Sequence, residues 1–123
     1  MKLVSFLVGL CLTAAMVGCA TSMTPQQFNE ALPKITKSRF YGRTAANEAV
    51  SASQCRLLVA DRKYTSPIGA TVNGDLSGAA RGIDEWVTAD GGNAYSVGDF
   101  AWVTVGDMGE TQLTVRFDTL ACK

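Results

Sequence analysis

Histidine is absent from all 123 residues. That removes the commonest general base and the imidazole metal ligand. Serine, lysine and carboxylates can still act, but only where their spacing brings them together. No such spacing stands out. In Gly74-Asp75-Leu76-Ser77-Gly78 the serine is fourth, whereas a Gly-x-Ser-x-Gly nucleophile elbow places it third. Asp84 and Glu85 are neighbours on one helix and so do not face one point, which suits a solvated helix face. Asp90, Asp99 and Asp107 fall in glycine-containing bends, where aspartate is ordinary turn chemistry and a weak cation site is the remote alternative. The expectation is a protein without catalytic residues, bound metal or diffusible cofactor.

An excess of charge is also missing. Eleven basic residues balance eleven acidic ones, so there is no footprint for nucleic acid and no polybasic stretch for an anionic membrane surface. Nor is there an apolar run of the roughly 20 residues that cross a bilayer. The apolar stretch after Met1 and Lys2 runs without charge from Leu3 to Met16, then Val17 and Gly18, and is followed by polar Thr21, Ser22, Thr24, Gln26 and Gln27. A positive start, a short apolar segment and a small residue before the cut make a secretory signal over residues 1–18.

The end of that signal, Met16-Val17-Gly18-Cys19, resembles the lipobox of bacterial lipoproteins. The resemblance implies that the Cys19 thiol receives a diacylglyceryl group and that cleavage frees its amine for a third acyl chain. Secretion without a lipid is the alternative. A single acyl chain binds membranes reversibly, whereas two or three on one cysteine hold permanently. Ala20 and Thr21 follow the cysteine, where such lipoproteins carry Asp when kept at the inner membrane. The resemblance therefore implies an outer-membrane anchor, with the domain in the periplasm or at the cell surface.

Of the four cysteines, Cys11 lies in the signal and Cys19 is the lipid site, which leaves Cys55 and Cys122. In an oxidising compartment a disulfide is the default fate of such a pair. The redox-active alternative needs Cys-x-x-Cys spacing or a neighbouring base, and neither is present. Without residues 1–18 the chain retains 105 residues, enough for one modest domain that a covalent staple would help.

Residues 19–39 read as a lipidated tether carrying one short helix, capped by Thr24 and Gln27, begun by Pro25 and stopped by Pro33. Fully extended, about twenty residues reach some 65 Å. Residues 40–123 read as a single α+β domain. Thr44–Ala52 has helical composition with Thr44 as a cap. Leu57, Leu58, Val59 and Ala60 form a short strand, and Arg39–Gly42 is ambiguous. Leu76, Ala79, Ala80, Ile83, Trp86 and Val87 recur at three- and four-residue steps, which predicts the main helix, capped by Asp75 and ending before Asp90. Tyr95 to Val105, with a phase change near Gly98 and Asp99, then Gly106–Gly109, then the alternation around Leu113, Val115 and Phe117 predict a hairpin. The fold expectation is strand-helix-strand-strand, a small antiparallel or mixed sheet with one helix on one face, stapled by Cys55 and Cys122.

This order, with Gly91-Gly92-Asn93-Ala94-Tyr95 after the helix and a terminal Cys122, is similar to a group of small envelope lipoproteins that includes the outer-membrane sensor of the Rcs stress pathway. The resemblance implies an α+β domain in the periplasm, and the chain as a whole reads as a non-enzymatic lipoprotein that binds or reports on another envelope component. That sensor has two disulfides and a Pro-rich basic tether, whereas this chain has one cysteine pair and a nearly neutral tether. Two kinds of partner follow. For an envelope protein, the aromatic residues are the stock of anchors, with most in the core and Tyr41 and Trp102 the candidates for an exposed patch. For peptidoglycan, Asn73, Leu76, Ser77 and Arg81 resemble the Asn-x-x-Leu-Ser-x-x-Arg signature of OmpA-like domains, with the arginine displaced by one position.

Overall fold

A computed structural model describes residues 22–123, so the expectations attached to residues 1–18 and to Cys19 lie outside the described residues. The first element is helix α1 (Pro25–Ala31). Its capping box forms as the sequence predicts: Thr24 Oγ1 accepts from the Gln27 amide at 3.2 Å, and Gln27 Oε1 accepts from the Thr24 amide at 2.9 Å. A single 3-10 turn, Leu32–Lys34, follows around Pro33. Then come β1 (Arg39–Phe40), α2 (Arg43–Ser51), β2 (Cys55–Thr65), α3 (Val72–Ala89), β3 (Ala94–Val105) and β4 (Glu110–Cys122).

The four strands form one mixed sheet in the order β1-β3-β4-β2. β1 runs parallel to β3, while β3 with β4 and β4 with β2 are antiparallel. Helix α3 covers one face, giving the expected α+β architecture. Its apolar stripe of Leu76, Ala79, Ala80, Ile83 and Val87 packs on Tyr95, Leu113, Val115 and Phe117 from β3 and β4. Burying each large side chain of this set is worth about 1.5–3 kcal/mol. Close approach is possible because Gly82 lies under the Tyr64 ring, where a Cβ would come within 2.1 Å of the ring carbons.

Local boundaries differ from the sequence reading for identifiable reasons. Thr71, not Asp75, caps α3: its hydroxyl accepts from the Gly74 amide at 3.0 Å, so the helix starts one turn earlier. Gly42 rather than Thr44 stands at the start of α2, with no side-chain cap. The β2 strand runs eleven residues instead of four. Its charged half stays in the ladder because bulges between Leu57 and Arg62 absorb the phase change, with Asp61 at φ 55°. The phase change in β3 is likewise a register shift between Val97 and Asp99.

The largest departure concerns the tether. Phe28 and Leu32 are completely buried in the main core. Phe28 stacks on Phe100 with ring centroids 3.9 Å apart and meets Trp102 edge-on at 6.2 Å. Residues 25–39 therefore belong to the domain, because two large apolar side chains gain more from burial than a solvated tether would return. The connection between Cys19 and Thr24 shortens to residues 20–23, a reach of about 17 Å instead of 65 Å.

Among the described residues, the second face of the sheet is covered at one end only. Ala46 of α2 packs there on Ala94 and Leu120, with Tyr41 and Cys122 at the margin. Further along, the register aligns Lys63, Arg116 and Asp99, then Thr65, Thr114 and Ala101, with no helix of the described residues over them.

Candidate binding surface

Cys55 and Cys122 are register partners at the ends of β2 and β4 and are joined by a disulfide. The Gly91-Gly92-Asn93 motif fits the chain onto this end of the sheet. Gly91 takes φ 81°, which favours glycine, and a Cβ on Gly92 would stand 2.6 Å from the Leu120 carbonyl oxygen. The Asn93 side chain then acts as one more rung of sheet. Its Nδ2 donates to the Cys122 carbonyl at 2.7 Å, and its Oδ1 accepts from the Cys122 amide at 2.8 Å. The Gly91-Gly92-Asn93 turn thus holds the last strand in place.

Beside this staple is a hollow of about 570 Å³ bounded by Val50, Leu57, Ala121 and Cys122. A second hollow of about 300 Å³, between α2 and the sheet, shares Val50 and Leu57 and reaches Ala46 and Leu120. Val50 is 39% exposed and Leu57 45%, so two apolar side chains stand in solvent where α2 leaves the sheet. Arg56 and Lys123 supply charge at the rim. An apolar floor with a polar rim is the anatomy of a protein-binding patch.

Several ionisable groups elsewhere are engaged with one another. Arg62 holds Asp90 in a bidentate pair through one guanidinium edge, Nε to Oδ2 at 3.1 Å and Nη2 to Oδ1, and Thr119 donates to Asp90 Oδ2 at 2.8 Å. Its guanidinium lies 4.5 Å from the centroid of the Trp86 ring, and Tyr64 meets that ring edge-on. The Arg62 hydrogen bonds hold the Asp90 carboxyl below the usual range, against the opposing effect of burial, with Thr119 adding to the lowering. Arg43 pairs with Asp118 at 2.7 Å, and Arg116 pairs with Asp61 at 3.1 Å. Asp84 does not belong to a merely solvated face. Its two oxygens accept the Lys37 and Ser38 amides at 2.8 and 2.9 Å, clamping the entry to β1 onto α3. Among the described residues, no three of Cys, Asp and Glu converge as metal ligands.

Tyr41 and Trp102 do not share a patch. Tyr41 packs beside the Ala46–Leu120 cluster and takes a hydrogen bond from Arg39 at 3.0 Å, on the face covered by α2. Trp102 is half-buried on the α3 face, and its indole N–H donates to Asp75 Oδ2 at 3.1 Å. Tyr95, the neighbour of Tyr41, lies seven residues before Trp102 along β3, roughly 23 Å away. The other aromatics outside residues 1–21 pack against the main core too. Of the peptidoglycan-type residues, Leu76 is in the core, while Asn73, Ser77 and Arg81 are exposed along α3.

Val50 and Leu57 were not found from the sequence, because Leu57 opens an apolar run that reads as buried. What exposes it is the limited cover of α2. No protein-family model matches this chain, and neither a curated protein nor a solved structure matches it at a significant level.

Proposed function

We propose that this protein is a non-enzymatic, lipid-anchored component of the bacterial outer membrane whose domain binds another envelope protein. The observation that carries this reading is the Met16-Val17-Gly18-Cys19 motif directly after an uncharged signal segment, a few residues before the domain begins at Thr24. Acyl chains on Cys19 would hold the domain at the bilayer permanently. The binding role is supported by the apolar hollows at Val50 and Leu57, and by the mutual pairing of Arg62 with Asp90 and Arg43 with Asp118, which occupies these groups in structural contacts. Periplasmic presentation is part of the proposal.

Intact mass of the protein taken from the membrane fraction, with and without reduction, tests the anchor. The expected species starts at Cys19, carries the mass of two or three acyl chains and loses them when Cys19→Ala is introduced. A chain starting elsewhere without acyl mass would sink the proposal. For the binding role, a photo-crosslinker at Val50 should capture one defined envelope protein in cells, and Leu57→Asp should abolish that capture. Retention on purified peptidoglycan that depends on Asn73 and Arg81 would instead favour wall binding, the alternative for which the exposed α3 stripe speaks. Turnover of a small periplasmic substrate lost on a single carboxylate substitution would make the protein an enzyme or enzyme accessory.

A further inference from the structure

Several large apolar side chains stand exposed away from the Val50–Leu57 hollows, and three of them belong to the opposite end of the sheet. Met108 is 87% exposed in the β3–β4 turn, Ile68 is 59% exposed in the loop before α3, and Val103 is 51% exposed on the last part of β3. The topology gathers them. Gly69, next to Ile68, bridges to Thr111, three residues beyond Met108. Val103 lies opposite Gln112, the next residue of β4. The segments involved are short of charge as well: Thr65–Gly74 and Phe100–Gly106 contain no Asp, Glu, Lys or Arg. Only Asp107 and Glu110 flank Met108.

The described chain enters beside the start of α3. Ser22 and Met23 line a surface hollow together with Lys34 and with Val72, the first residue of α3, and Met23 lines a second with Val97 and Phe100 of β3. Cys19 precedes Ser22 by three residues, a span of at most about 11 Å. The opposite end, with the Cys55–Cys122 bridge, lies the full length of β4 away, roughly 40 Å.

We infer that the Ile68–Met108 end of the domain is a membrane-contacting surface, resting on the phospholipid leaflet that holds the Cys19 acyl chains. This rests on the lipid-anchor reading. With so short a connection the domain cannot stand clear of the bilayer, and of the two sheet ends the one where α3 starts beside the entering chain offers exposed Ile68, Val103 and Met108 to the interface, with Lys34 the one basic residue lining the entry hollow. Met108 between Gly106 and Gly109 reaches into the acyl boundary while Asp107 and Glu110 remain at headgroup depth. The orientation points Val50 and Leu57 away from the membrane, where a protein partner can reach them.

The full-length lipidated protein, its acyl mass first verified, is placed in nanodiscs of phosphatidylethanolamine and phosphatidylglycerol containing a lipid with a nitroxide headgroup. Amide signals of residues 68, 69, 107 and 108 should be lost to paramagnetic broadening, while those of residues 54, 57 and 123 keep their intensity. The lipidated double variant Ile68→Glu with Met108→Glu should recover the lost signals. Both side chains are surface groups, so its core resonances should stay in place. Broadening centred on residues 54–57 and 123, or spread evenly over all faces, overturns the inference while leaving the lipid anchor intact. Absence of acyl mass on Cys19 removes the anchor reading and this inference together.

Discussion

The Trp102 indole N–H and the Thr111 hydroxyl both donate to Oδ2 of Asp75, whose side chain is almost entirely buried one turn into α3. The other oxygen, Oδ1, has no hydrogen-bond partner and lies against Gly69, where a Cβ would come within 2.2 Å of it. One carboxylate thus ties the start of α3 to both strands of the hairpin. Asp75→Ala leaves two donors without an acceptor and should cost about 3 kcal/mol in urea unfolding. Gly69→Ala should cost about 2 kcal/mol through overpacking, and less in the Asp75→Ala background, since the two changes share one space. Strict additivity in that double-mutant cycle would show that the contact is not the source of the effect.

The disulfide closes a sequence separation of 67 residues. In the chain-entropy treatment that corresponds to about 4 kcal/mol of stabilisation. Cys55→Ser with Cys122→Ser should lower the urea midpoint by a comparable free energy. Asn93→Ala in the same background should destabilise further, because Asn93 then becomes the principal holder of the β4 end. No change in midpoint between oxidised and reduced protein would refute the staple.

Burial pushes the Tyr95 phenol up to about 12, with the Asp84 charge adding to the rise and the hydrogen bond with Thr36 at 2.8 Å opposing it. The ionised phenolate is therefore disfavoured in the folded state relative to the unfolded chain, where the value is about 10. Stability from this group is complete below pH 10 and drains away as pH rises from about 10 towards 12. Tyr95→Phe should remove that part of the alkaline loss, read as the difference between the two denaturation profiles. Parallel profiles would place the alkaline sensitivity elsewhere.

For Asp90 the sign is reversed. Its carboxyl is held below the usual range chiefly by the Arg62 hydrogen bonds, so its contribution is present above about pH 4 and is lost as pH falls through the lowered folded-state value. Asp90→Asn should flatten that acid limb. At neutral pH it should also lower the melting temperature by roughly 5 °C or more. A variant that melts like the parent at neutral pH would leave the Arg62 contact without energetic weight.

The parts of the fold that were legible are those with local causes. The α3 stripe from Leu76 to Val87 and the alternation of Leu113, Val115 and Phe117 report directly which side faces a core, because helix and strand periods are local. Two-residue β1 was ambiguous because its pairing with Ala94 and Tyr95, and the Asp84 clamp before it, lie more than forty residues away. Trp102 and Tyr41 looked alike as aromatic anchors. Asp75 for Trp102, and Ala94 and Leu120 for Tyr41, all remote in sequence, decide that both have packing partners and that they lie on different faces.

From the sequence by itself came the identity of the one cysteine pair in the domain, the helix-and-hairpin order, the Thr24 cap and the lipobox-like run before Cys19. Each depends on neighbouring residues or on counting. Only the tertiary structure decided that Phe28 and Leu32 complete the core, that Asp84 is a clamp, and that Ile68 and Met108 stand exposed at one end of the sheet. Burial is settled by what arrives from elsewhere in the chain. An isolated apolar residue in a helix or turn carries no local mark of whether that partner exists.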